Sequence, residues 1–145
     1  MFNKDKRKKS TRLDTLIGQN THIKGDISFS GGLRIDGTVT GNIQATGDED
    51  SALTLSEQGT LEGEIKVPNI IINGTIIGNI YSSEHIELAP KAKIKGNVYY
   101  NLLEMAMGSK VNGQMINVIK EDDAILDLEH EVVDEDEDKL RLPTE

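Results

Sequence analysis

The sequence predicts an all-β protein: a right-handed parallel β-helix, or solenoid, of about six turns, with disordered N- and C-terminal tails. Three observations support this fold class. Aliphatic residues alternate with polar ones, glycines recur among the aliphatics, and the whole pattern repeats about every 17 residues. Aromatic residues make up only 3% of the 145 residues and tryptophan is absent, so the interior must be built from Ile, Leu and Val.

The clearest copy of the repeat spans residues 33–45. Apolar or very small residues fill every second position from Leu33 to Ala45, and most positions between them are polar. Residues 70–80 repeat the pattern, and weaker copies follow at 23–27, 61–65, 94–98 and 111–115. The last glycines of the six copies are Gly25, Gly41, Gly63, Gly78, Gly96 and Gly113. Consecutive glycines are about one period apart, except that the step from Gly41 to Gly63 is longer and contains an inserted acidic loop at 47–51.

The glycines favour a coil over a flat sheet. Thirteen alternating residues exceed the usual strand length of about 3–10, and glycine on the packed side of a flat strand weakens it. At a tight corner, however, the inward position has no room for a side chain. Each turn is therefore predicted to contain about three short strands, and six turns stacked about 4.8 Å apart form a rod about 30 Å long.

The spacing of the aliphatics also bears on the hand of the coil. Ile35, Val39 and Ile43 are four residues apart, whereas left-handed coils of acyltransferases repeat their aliphatics every six residues. Parallel strands in one sheet are almost always joined by right-handed connections. We therefore expect a right-handed coil.

Charge divides the chain into three segments. Residues 1–15 are predicted to be a disordered basic tail, in which positions 1–12 carry a net charge of +5. Residues 16–119 form the predicted β-helix domain, and residues 120–145 form an acidic tail with a net charge of −9. Within that tail, apolar residues at helical spacing in 122–133 predict a short helix that could cover the last turn. No secretory signal or membrane-spanning apolar run is visible, so a cytoplasmic location is expected.

No catalytic site, metal site or cofactor is predicted. His22, His85 and His130 lie in separate turns and in the acidic tail, without the spacing of metal ligands. The glycines match neither of the common phosphate-binding loop patterns. The chain has no cysteine, so it forms no disulfide and no thiolate metal site. We therefore expect a protein that is not an enzyme.

Four sequence stretches resemble the bactofilins, a family of bacterial cytoskeletal proteins. They are LIGQNTHIKGDI (16–27), LRIDGTVTGNI (33–43), GTIIGNI (74–80) and KIKGNV (93–98), and the resemblance covers roughly residues 16–119. It implies a right-handed parallel β-helix that polymerises end to end into non-polar filaments without nucleotide. It also implies attachment to the inner face of the cell membrane and clients such as cell-wall enzymes or polarity factors.

The two ends of the coil are the predicted polymerisation interface, because an open strand edge templates association and no cap is evident before residue 17. The apolar residues available for this contact are Ile17, Ile23, Ile27 and Phe29 in the first turn, and Leu103, Met105, Met107, Val111 and Met115 in the last. Bactofilins often carry an aromatic residue in the last turn that matters for assembly, and the matching place here is Val111. The bland alternative is that these side chains only fill the core.

The N-terminal residues predict a membrane-binding segment that combines an apolar start with a basic run. Its residues are Met1, Phe2, Lys4, Lys6, Arg7, Lys8 and Lys9. Each Lys or Arg near an anionic leaflet contributes about 1 kcal/mol, and burying Phe2 adds about 1.5–3 kcal/mol. The alternatives are an inert solubilising tail and a nucleic-acid contact. The acidic body and the lack of interleaved aromatics disfavour nucleic acid.

Two other functions stay open at this point. A carbohydrate-binding or carbohydrate-cleaving β-helix would need a long groove with aromatic side chains, for which the body offers Phe29, Tyr81, Tyr99 and Tyr100. A left-handed acyltransferase relative would need a catalytic histidine, for which His22 or His85 are available.

Overall fold

The computed structural model describes residues 13–47 and 49–118, and every regular secondary-structure element within these residues is a β-strand. The sixteen strands are β1 Thr15–Ile17, β2 His22–Lys24, β3 Ile27–Phe29, β4 Gly32–Ile35, β5 Thr38–Thr40, β6 Ile43–Ala45, β7 Ala52–Leu55, β8 Thr60–Glu62, β9 Ile65–Lys66, β10 Asn69–Ile72, β11 Thr75–Ile77, β12 Ile80–Leu88, β13 Lys93–Lys95, β14 Val98–Met105, β15 Lys110–Asn112 and β16 Met115–Asn117. The predicted all-β class is confirmed.

The strands wind into a parallel solenoid with three faces. The first face holds β1, β4, β7, β10 and the C-terminal halves of β12 and β14; the second face holds β2, β5, β8, β11, β13 and β15. The third face holds β3, β6, β9, the N-terminal halves of β12 and β14, and β16. Every pairing is parallel, and each turn takes one strand from each face, which confirms the prediction of about six turns. The right-handed sense of the coil stays a prediction, which rests on the general preference of parallel strand connections.

Two long strands join the first and third faces into one sheet. Both β12 and β14 run along the third face and continue onto the first, so these faces form a ten-stranded sheet, whereas the second face is a separate six-stranded sheet. The pairing of β12 with β14 shifts in register between Ser82 and His85, where the chain passes from one face to the other.

Register stacks the aliphatic residues of successive turns into columns inside the coil. On the first face, Ile35 pairs with Leu55, Leu55 with Ile72, and Ile72 with Leu88. Each of these four side chains is fully buried. The outward residues between them face solvent, as the period-two pattern requires. The core is therefore a continuous aliphatic column along the rod.

The corner between the second and third faces explains the recurring glycine. It has two residues in each of the six turns, and the first of them is always glycine. Gly41 has φ of 150°, a region that favours glycine, and a Cβ there would overlap the carbonyl oxygen of Gly25 in the preceding turn. The predicted role of the glycines as corner residues without room for a side chain agrees with this geometry.

The residue after each corner glycine is polar, and several of these residues bond to the next turn. The Asn97 backbone N–H donates to Asn79 Oδ1, and the Gln114 N–H donates to Asn97 Oδ1, both at 3.0 Å. The same contact joins the Asn42 N–H to Asp26 Oδ1 at 2.9 Å. These bonds satisfy backbone donors at a corner where regular strand pairing stops.

The other two corners vary in length and account for the uneven period. The corner between the first and second faces has four residues in four turns and two residues in the other two. The sequence insertion lies between β6 and β7, at the corner between the third and first faces. There Asn69 Nδ2 donates to the Glu49 and Ser51 carbonyl oxygens at 2.7 and 3.1 Å.

Several predictions concern segments outside the described residues. The basic run at 1–9, the helix at 122–133 and its covering of the last turn are among them. Across residues 13–47 and 49–118, the structure contains no helix with the length and apolar character needed to cross a membrane.

Candidate functional site

Inward side chains are buried in the middle of the rod and partly exposed at its ends. One column on the second face runs from Ile23 through Val39, Leu61, Ile76 and Ile94 to Val111. The four inner members are at most 1% exposed, but Ile23 and Val111 are only partly buried. All six hold the same position in their turns. Within residues 13–47 and 49–118, however, the strands of Ile23 and Val111 have a neighbouring strand on one side only, and this accounts for the difference.

The N-terminal end presents three of the four predicted residues in this way. Ile23, Ile27 and Phe29 are partly buried and pack on the core from one side. Ile17, the fourth, is 7% exposed and belongs mainly to the core. Among the described residues, β1, β2 and β3 each pair with a strand on one side alone, so the other backbone edge of this turn has no strand partner.

The C-terminal end also exposes inward apolar residues. Leu103, Val111 and Met115 are partly buried on three faces of the last turn. Met105 is 47% exposed, although Leu88, which holds the same position one turn earlier, is fully buried. Met107, at a four-residue corner, is 94% exposed. The structure therefore brings all five predicted residues into the last turn or its corner.

One apolar residue of this end was missed by the sequence analysis. Leu102 lies on the first face of the last turn and is 60% exposed, beside the inward Leu103. Two adjacent leucines break the alternation of apolar and polar residues, and that break was the available signal. Leu102 extends the exposed apolar surface from the interior of the last turn onto its outer side.

The described residues contain no group of three or more His, Asp or Glu side chains arranged to hold a metal ion. His22 Nε2 lies 3.2 Å from Thr40 Oγ1, and His85 Nε2 lies 3.5 Å from Glu104 Oε1, both at the surface. His130 lies outside the described residues.

A groove with a volume of about 520 Å³ runs along the outside of the third face. Its wall includes Tyr81 and Tyr99, whose rings stack with centroids 4.7 Å apart and planes 5° apart. The Lys66 ammonium lies 5.6 Å from the Tyr81 centroid. The two rings stack on each other, and the Tyr81 ring also contacts a lysine. These contacts are cross-strand packing between outward residues of neighbouring turns.

Comparison with known proteins agrees with the solenoid fold. The profile of the bactofilin family, described as polymer-forming cytoskeletal, matches residues 15–116. The chain is 30% identical over 115 residues to bactofilin BacO of Myxococcus xanthus (strain DK1622), covering 79% of this chain and 88% of BacO. It is 22% identical over 102 residues to bactofilin BacP of the same organism, covering 70% of this chain and 41% of BacP. No solved structure matches the chain. The chain therefore belongs to the bactofilins, a family of polymer-forming cytoskeletal proteins.

Proposed function

We propose that this bactofilin is a non-enzymatic scaffold that polymerises end to end without nucleotide. The observation that carries the proposal is the partial exposure of inward side chains at both ends of the rod. In the middle turns the same positions are closed by the next turn of the chain. A second copy stacked on an end would supply that missing turn.

Burial of apolar surface and pairing of free strand edges drive this assembly. Each square ångström of apolar surface removed from water contributes about 25 cal/mol. Strand edges without partners at β1–β3 offer backbone hydrogen bonds in addition. Both contributions come from the surfaces themselves, so the proposed mechanism requires no bound or hydrolysed nucleotide.

Substituting a single arginine at either end of the rod tests this mechanism. We expect Val111→Arg and Phe29→Arg to abolish the large assemblies that the unmodified protein forms without nucleotide, because each places an unpaired cation in the contact. Sedimentation and negative-stain microscopy report the result. Ile77→Arg is the matched control, since Ile77 is 39% exposed on the outside of a middle turn. If both end variants still form filaments like the control, the end assignment is wrong.

We further propose that the filament binds the inner face of the cell membrane through residues 1–9, and thereby lies in the cytoplasm at the membrane periphery. The support is the pairing of Phe2 with five basic residues in this segment. One copy binds an anionic surface weakly, but a filament displays many copies, and multivalency raises the total affinity.

Liposome pelleting tests the membrane contact separately. Deleting residues 2–9 should abolish pelleting with anionic liposomes and leave sedimentation of filaments without liposomes unchanged. The unmodified protein with uncharged liposomes is the control for non-specific pelleting. Unchanged pelleting of the deletion variant with anionic liposomes would eliminate this segment as the anchor.

In this proposal the sides of the filament remain free for client proteins. The outward residues of the three faces are not used by end-to-end contacts, so cell-shape factors, cell-wall enzymes or polarity factors could be recruited there. Capture of such a protein by the unmodified filament, and by neither end variant, would link recruitment to assembly.

A further inference from the structure

Lysines are concentrated on the second face near the C-terminal end. This lysine patch consists of Lys91, Lys93, Lys95 and Lys110, on β13, β15 and the corner before β13. Lys93 and Lys110 are direct partners in adjacent parallel strands. Like charges in this arrangement repel and destabilise a sheet. The pair makes this part of the second face positive in a chain whose net charge is −9.

Few contacts within the described residues compensate for these charges. Lys91 Nζ pairs with Glu57 Oε2 at 2.9 Å. Among the described residues, Lys93, Lys95 and Lys110 form no ion pair. Their partners in the ladder are also uncharged, except for each other: Lys93 faces Thr75, and Lys95 faces Ile77 and Asn112. Three positive charges are therefore left available.

The patch borders a concave surface that can accept an extended chain. A cavity of about 400 Å³ is lined by Lys91, Lys93 and Lys110, together with Glu57 and the Gly108 corner. Because Glu57 is already paired with Lys91, the remaining charge of the cavity wall is positive. A run of carboxylates is the ligand that this charge favours.

We propose that the lysine patch binds the acidic run at residues 134–138 of the chain's own C-terminal segment. The run reads DEDED, with five negative charges, against three lysines that lack partners among the described residues. The two are joined by the same chain, and tethering gives an effective concentration in the millimolar range. An intramolecular contact is therefore favoured over capture of the same run from another molecule in dilute solution.

The length of chain is sufficient for this contact. Asn117 holds the same position on the third face as Tyr100 and Ser82 one and two turns earlier. The chain passes from Tyr100 to Lys110 on the second face, and from Ser82 to Lys93, within less than one turn of the coil. The stretch from Asn117 to residue 134 contains more residues than either of these two paths, so the acidic run can reach the same face.

Energy transfer between two dyes tests the contact in the full chain. The protein has no cysteine, so Asn112→Cys and Glu145→Cys provide two unique labelling sites. We expect high transfer in single molecules at low salt and low transfer at about 1 M salt, where the screening length is about 3 Å. Lys93→Glu with Lys110→Glu should lower the transfer, and changing residues 134–138 to lysine in that variant should restore it.

A matched control lies at the other end of the same face. Lys24→Glu should leave the transfer unchanged, because Lys24 is on the second face of the first turn. The proposal would be overturned if the energy transfer changed neither with salt nor with the Lys93→Glu and Lys110→Glu substitutions. It would also be overturned if the transfer fell when Lys4, Lys6, Lys8 and Lys9 are changed to Gln, since the acidic run would then bind the basic N-terminal segment instead.

Discussion

The middle turns and the two terminal turns of this solenoid use the same positions for different purposes. Ile76 in the fourth turn and Ile23 in the first occupy one column of the second face, yet Ile76 is fully buried and Ile23 is not. The side chain is the same in both places. Burial in a stacked fold is thus a property of neighbours on both sides, and residues that form the core in the middle become contact surface at the ends.

The largest expected loss of stability comes from a substitution at a corner glycine in the middle of the rod. Gly78 has φ of 144°, and a Cβ there would overlap the carbonyl oxygen of Gly63. We expect Gly78→Ala to cost about 4 kcal/mol of the free energy of unfolding, since both strain and overlap must be relieved. Urea unfolding followed by circular dichroism measures the cost, in a background such as Val111→Arg that prevents assembly.

Gly25→Ala is the matched control for this corner. Gly25 has φ of 134° in the first turn, but a Cβ there meets no atom within 4 Å. Only backbone strain of about 1–2 kcal/mol should result. Equal losses for the two variants would mean that overlap with the preceding turn contributes nothing at the inner corners.

The second expected effect compares two members of one column directly. Ile76→Ala should cost about 2–5 kcal/mol, the range for truncating a fully buried aliphatic side chain. Ile23→Ala should cost clearly less in the isolated rod, because part of that side chain already contacts water. The same urea unfolding experiment measures both variants.

The two variants should rank in the opposite order when their effect on assembly, rather than on stability, is measured. In the background that can polymerise, Ile23→Ala should raise the threshold concentration for sedimentation more than Ile76→Ala does. If Ile23→Ala changes neither stability nor assembly, the exposed inward side chains of the first turn do not contribute to a contact.

The smallest expected effect concerns the polar residues at the two-residue corners. Asn97→Ala removes the oxygen that accepts from the Gln114 N–H. We expect a loss of about 0.5–1.5 kcal/mol, the usual net contribution of one hydrogen bond. Asn112→Ala, an exposed outward position on the neighbouring strand, should cost less than about 0.5 kcal/mol. A larger loss for Asn112→Ala would contradict the role given to these bonds.

Sequence periodicity was sufficient to predict the repeating fold but not its lateral contacts. The alternation from Leu33 to Ala45 and the recurring glycine depend on local geometry, so both can be recognised in the sequence alone. The three faces and six turns followed from them and are confirmed. The unequal corners, by contrast, depend on how each turn fits on its neighbour, and no local rule sets their lengths.

The lysine patch was within reach of the same analysis. The stretch KAKIKG places Lys93 and Lys95 at alternate outward positions, and one period of the repeat leads from Lys93 to Lys110. Adjacency of these charges follows once the register is known. Leu102 was also within reach, because two adjacent leucines at 102 and 103 place one of them on the outer side of the strand. The residues proposed for end-to-end contact stay a prediction.

The fixed two-residue corner has a practical consequence for labelling. Peptide can be inserted at the junction between β6 and β7, where the chain already carries extra residues without loss of strand register on either side. The same insertion at Gly63 and Glu64 would separate neighbouring turns, because this corner packs directly against the backbone of the preceding turn. The corner between the second and third faces therefore has a fixed length, whereas the other two corners tolerate extra residues. A reporter for microscopy should be inserted at one of these variable corners.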